Sequence, residues 1–132
     1  MIYIAGPLTN ADPDIQARNI DRAQRAYYAL LYVGLTGICP HLSGLDARAF
    51  DIAYDRWIAN GLAQLDACTG VWLLPGWHTS NGALLELAQV CRRTENRQAV
   101  YYNFGDVCRR NARAYVNPWW NDAAEYSVEL WA

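Results

Sequence analysis

Four short apolar runs, most of them cut off by Gly or Pro, leave few folds open to this chain. Ile2-Tyr3-Ile4-Ala5 stops at Gly6-Pro7, Thr36 to Cys39 stops at Pro40, and Gly70-Val71-Trp72-Leu73-Leu74 stops at Pro75-Gly76. Gln98 to Tyr102 makes the fourth. The third run lacks alternation, as a strand covered on both faces should. Between the runs the spacing turns helical. Ile15, Asn19, Ala23, Ala26, Tyr27, Leu30 and Leu31 follow a cap at Asp12 or Asp14, and Gly34 closes that helix. A loop over Leu42 to Ala47 precedes a second helical pattern from Arg48 to Ala67, and a third opens at Ser80 and carries Ala83, Leu84, Leu87, Ala88 and Cys91. The order β-α-β-α-β-α-β with short connections predicts an α/β fold: a single-domain, flavodoxin- or Rossmann-like three-layer sandwich with a mostly parallel sheet. In such sheets ligands sit beyond the carboxyl ends of the strands. Gly6-Pro7, Pro40-His41 and the segment from Pro75 to Gly82 should therefore border one crevice.

A chain of 132 residues buries one core. Its 53% hydrophobic and 18% charged residues exclude disorder. A net charge of -2 argues against a nucleic-acid polymer as partner. All eleven basic side chains are Arg, and the absent Lys excludes a Walker lysine, a Schiff-base lysine and a Ser-Lys dyad. Cys39, Cys68, Cys91 and Cys108 are too scattered for a zinc site, so no metal or cofactor is expected. They read as reduced, mostly buried thiols of a cytoplasmic protein. With Arg18 the first basic residue and no long apolar run, neither a signal peptide nor a membrane partner is expected. Residues 1–104 read as the α/β domain and 105–132 as an extension. Eight of the seventeen aromatics fall between Tyr101 and Trp131, a composition suited either to a homo-oligomer whose extension helps complete a neighbour's site or to an extension that folds back over its own sheet edge.

The chemistry concentrates between Leu73 and Glu86. There a strand ends in a turn, Thr79 and Ser80 open a helix, and a lone carboxylate follows on its second turn. Free amides at a helix start, with hydroxyls beside them, form an anion site. Asn81 lies at that start, and Gly82 permits close approach of a ligand or backbone. Glu86 is the only acid between Asp66 and Glu95, and a carboxylate desolvated beside a crevice is a candidate nucleophile or base. The plainer alternative is an ordinary capped helix with a solvated Glu. His41 and His78 stand at two loop ends, where either could protonate a leaving base or simply hydrogen-bond to backbone. Trp77 could stack on a base or cap the core.

Ile2-Tyr3-Ile4-Ala5-Gly6-Pro7, then Leu74-Pro75-Gly76-Trp77, then Ser80-x-Gly82-Ala83-x-x-Glu86, resemble the nucleoside 2-deoxyribosyltransferase-like superfamily, above all its small, often phage-encoded branch. The resemblance spans roughly residues 1–102. It implies that Glu86 attacks the anomeric carbon of a nucleoside or nucleotide. It further implies that Ser80 holds a 5′-phosphate, as in nucleotide hydrolase members, and that Gly6-Pro7 borders sugar and base. For a phage-encoded chain the compartment would be the host cytoplasm. Two departures stand out: acids usual in the superfamily align with Gly61 and Thr69. Losing the first removes acid-base assistance typically worth ~10²–10⁴-fold in rate. Asp55 and Asp66 lie near enough in sequence to substitute, and Asp66, a few residues before the third strand, is the expected one. Two readings follow: an N-glycosidic hydrolase or deoxyribosyl transferase with a Glu nucleophile, or a catalytically impaired protein that sequesters a nucleotide signal. A structural subunit with a vestigial pocket is a third.

Overall fold

β1 (Ile2–Ala5) is buried along its whole length and pairs in parallel on both sides, which makes it a central strand. Its neighbours are β2 (Gly37–Ile38) and β3 (Gly70–Leu73), and β3 pairs in turn with β4 (Ala99–Tyr101). The order β2-β1-β3-β4 is parallel throughout, so chain direction across the sheet switches between β1 and β3. These statements rest on a computed structural model that describes residues 1–43, 51–93 and 98–111.

Period-two alternation sends β1 and β3 side chains to two separate cores. Ile2, Ile4, Trp72 and Leu74 pack with Ala23, Ala26, Leu30 and Val33 of α1 (Pro13–Tyr32) and with Phe104, Val107 and Cys108 of α5 (Phe104–Arg110). The Trp72 and Phe104 rings stack at 5.6 Å. Tyr3, Ala5, Val71 and Leu73 face the other way, onto Leu65 of α3 (Tyr54–Asp66) and Ala83 and Val90 of α4 (Asn81–Arg92). The molecule is thus the expected three-layer α/β sandwich, with helices on both faces of one parallel sheet.

Local chemistry explains the helix ends. Asp12 caps α1 by accepting from the Asp14 amide at 2.9 Å, with Pro13 in the first turn. Gly34, at φ +80, ends it in a Schellman motif: the Gly34 amide donates to the Leu31 carbonyl and the Leu35 amide to that of Leu30. Two expectations need correction. The second helical pattern begins at Tyr54 instead of Arg48, with Asp51–Ala53 outside any helix. The expected loop over Leu42 to Ala47 starts inside a short helix, α2 (Pro40–Ser43), which takes in Leu42 and Ser43. Phe104, Val107 and Cys108 of α5 complete the first core. The aromatic segment from Tyr115 to Trp131 lies outside the described residues. Cys39, Cys68 and Cys108 are buried and Cys91 is exposed. No helix among the described residues is long and apolar enough to cross a membrane.

Gly70 marks the tightest joint of the β3–β4 pair. A Cβ there would lie 2.7 Å from Tyr101 Cε2 and 3.0 Å from the Ala99 carbonyl oxygen. Overpacking of this kind costs about 1–3 kcal/mol. Gly70→Ala should therefore lower the urea midpoint by that equivalent without changing the slope of the transition.

Candidate active site

At the carboxyl ends of β1 and β3 the two exit turns pack against each other. Gly6 is buried so close to Leu74 that a Cβ would fall 2.9 Å from Leu74 Cβ. Gly76 takes φ +84, which side chains other than glycine rarely adopt, and lies against the Pro7 ring. α1 secures both turns from the side: Asn19 Nδ2 donates to the Leu8 carbonyl at 3.2 Å, and Arg22 Nη1 to that of Pro75 at 3.1 Å. A 3₁₀ turn, Trp77–Thr79, then feeds α4.

Ser80 is the N-cap of α4, its Oγ accepting from the Ala83 amide at 3.2 Å. Its hydroxyl proton remains available to an anion at the helix start. Asn81 is exposed beside it. A Cβ on Gly82 would meet Ile58 Cδ1 and Ser80 Oγ only at 3.9 Å, so the protein's own packing does not require glycine there. Thr79 Oγ1 donates back to the Gly76 carbonyl at 2.7 Å. Trp77 is half-buried against the α3/α4 core, with its ring near Tyr102 and edge-on to the exposed His78. His41 falls in α2.

Six residues beyond Ser80, about 9 Å along the helix, Glu86 turns inward between α4, α3 and the sheet. Its Oε1 accepts a hydrogen bond from the Tyr3 hydroxyl at 2.7 Å, joining residues 83 apart in sequence. Gly61 of α3 faces the pair: a Cβ there would stand 2.9 Å from Tyr3 Oη and 3.7 Å from Glu86 Oε1. Burial pushes the Glu86 carboxyl up from 4.5 to about 7, against the opposing pull of the Tyr3 hydrogen bond. Burial first, and the neighbouring carboxylate second, hold the Tyr3 hydroxyl protonated far above its ordinary range.

Asp66 is turned elsewhere. At the last turn of α3 it pairs with Arg93 at 2.7 Å and accepts from Gln89 Nε2, while that amide also donates to the Leu62 carbonyl. The α3–α4 seam therefore runs Ile58–Gly82, Gly61–Glu86, Leu62–Gln89 and Asp66–Arg93, and Asp66 sits further toward the amino ends of the strands than Glu86. Thr69 is also at those amino ends, its Oγ1 donating to the Met1 carbonyl. The structure thus joins Ser80, Gly82 and Glu86 along one helix and brings neither Asp66 nor Thr69 to the carboxylate.

Tyr3 escaped the sequence reading as a functional residue. The signal was a phenol inside an otherwise aliphatic, fully buried strand, because a buried Tyr hydroxyl must find a partner. Among the described residues no cluster of His, Cys, Asp or Glu is arranged to hold a metal ion. Residues 1–97 match the family described as a domain of unknown function, DUF4406. No curated protein and no solved structure matches the chain.

A carboxyl with a raised folded-state pKa holds its proton more tightly folded than unfolded. The stability it permits is full below about 4.5 and is lost as pH rises through about 7. Glu86→Gln, neutral at every pH, should therefore melt higher than the parent at pH 8 by the equivalent of roughly 1–3 kcal/mol. Near pH 4.5 the two should melt together; paired thermal melts at both values check this.

Proposed function

The chain belongs to the DUF4406 family, whose match over residues 1–97 takes in Tyr3, Gly61, Ser80 and Glu86, and with that as premise we propose that it cleaves or transfers the N-glycosidic bond of a nucleotide or nucleoside. The observation that carries this reading is the half-buried Glu86 held through one oxygen by the Tyr3 hydroxyl. Tyr3 orients Oε1 and leaves Oε2 to attack the anomeric carbon as the base departs. The sugar's oxocarbenium-like character is met by the carboxylate, as in retaining glycosidases. Water or a second base then opens the glycosyl-enzyme. Ser80 and the free amides of the α4 start receive the 5′-phosphate two turns away. The motif resemblance to the nucleoside 2-deoxyribosyltransferase-like superfamily supports the same assignment. Self-association through the aromatic segment beyond Asn111 belongs to this reading on composition alone.

A second reading, a protein that binds and sequesters a nucleotide without turnover, is favoured by Gly61, which sets no acid beside Glu86. Native mass spectrometry of the purified protein, then chromatography of any bound nucleotide after incubation, separates the two. Free base supports the enzyme; a ligand that stays intact supports sequestration.

For the enzyme, Glu86→Gln should retain ligand and lose base release by roughly 10³-fold or more. Because the carboxylate is the reactive form, kcat/KM for base release, which reports the ligand-free enzyme, should climb with pH and level off above about 7. A profile flat from pH 5 to 8 would count against Glu86 as the nucleophile.

Ser80→Ala should weaken a 5′-monophosphate about tenfold while sparing the nucleoside. Calorimetric titration with both ligands reads this, and equal losses would move the phosphate away from Ser80.

A further inference from the structure

The same site constrains which base can leave. A neutral base departs readily only if a proton reaches its ring, and a positioned acid supplies that proton at a gain of roughly 10²–10⁴-fold. Facing Glu86 on α3 stands Gly61, and the space a side chain from that position would enter is filled by Tyr3 Oη, 2.9 Å from the Cβ position. Tyr3 does not replace the missing acid. Its single proton is donated to Glu86 Oε1, 2.7 Å from the hydroxyl oxygen, and burial makes it reluctant to ionise. Asp66 is engaged by Arg93 and Gln89 further along the seam, and His78 is exposed on the 3₁₀ turn beside Trp77. No cationic side chain among the described residues pairs with Glu86 either.

Because Tyr3 Oη occupies the place of an acid beside a half-buried carboxylate that no cationic side chain among the described residues pairs with, we propose that the site is matched to N-glycosides whose base already bears a positive charge, the pyridinium and N7-alkylated purine nucleotides. This rests on Glu86 as nucleophile. The charge does two things. Held near Glu86 in a low-dielectric layer, it favours the ionised carboxylate, so binding itself generates the nucleophile. It also removes the need for an acid. Glu86 Oε2 forms a bond to the anomeric carbon as the carbon–nitrogen bond breaks, and the bonding pair passes to the ring nitrogen. The cationic base leaves neutral without accepting a proton. Water then attacks the same carbon, the sugar–carboxylate bond breaks, and the water's spare proton passes to solvent.

The test compares 7-methylguanosine 5′-monophosphate with guanosine 5′-monophosphate, and nicotinamide mononucleotide with its reduced, uncharged form. Ribose and 2′-deoxyribose versions are incubated with the full chain and analysed for free base. Each rate is divided by that nucleotide's own spontaneous loss in the same buffer. The cationic member of each pair should show at least ~100-fold more acceleration, and Glu86→Gln should abolish it. Equal or greater acceleration of the neutral members would overturn the charge requirement while leaving the glycosidase reading intact. No release from the cationic nucleotides would likewise overturn the charge requirement, and release that survives Glu86→Gln would overturn both.

Discussion

The hydrogen bond from Tyr3 to Glu86, 2.7 Å long and spanning 83 residues, sets terms that much of the fold has to meet. β1 must lie inside the sheet, with Tyr3 and not its isoleucine neighbours turned toward α3 and α4. The turn after β3 must start α4 so that its second turn lands over the tyrosine. Position 61 must carry no side chain, because any Cβ there crowds the hydroxyl. Each condition is met by a different stretch of chain, and the carboxylate is positioned only when all three hold together.

That arrangement sits under tension. A carboxyl raised to about 7 is one the surrounding layer would rather keep neutral, so the ionised form is held against the preference of the fold. The scaffold around it is correspondingly firm. Gly6 is pressed onto Leu74, Gly76 onto the Pro7 ring, and α1 grips the turns through Asn19 and Arg22. Aliphatic cores on both faces of the sheet offset the cost of one unfavourable charge.

Much of the architecture was legible because its boundaries are written in Gly and Pro. The strands at Ile2–Ala5 and Gly70–Leu73 stop where the breakers stand, and α1 starts and ends on its Asp12 cap and Gly34. The start of α3 was not legible, for a physical reason. Its N-cap is Ala53, which makes no side-chain cap bond, so apolar spacing upstream had no stop signal to break it. α5 did carry a cap, Asn103 accepting from the Asp106 amide at 2.7 Å, but the aromatic composition around it obscured the helix.

By itself the sequence determined the alternation of β1, α1, β2, α3, β3, α4 and β4, the parallel sheet and Glu86 as the odd carboxylate in an apolar helix. Those follow from periodicity and chain-breaking residues, which act over a few positions. Only the tertiary structure decided what Glu86 meets. Alternation along β1 says that Tyr3 and Ile4 point oppositely, but not which helix lies over Tyr3, and helical spacing does not say which α3 residue faces α4. Those choices are made when three separate elements pack, so the Tyr3 partner, the vacancy at Gly61 and the diversion of Asp66 to Arg93 belong to the assembled fold.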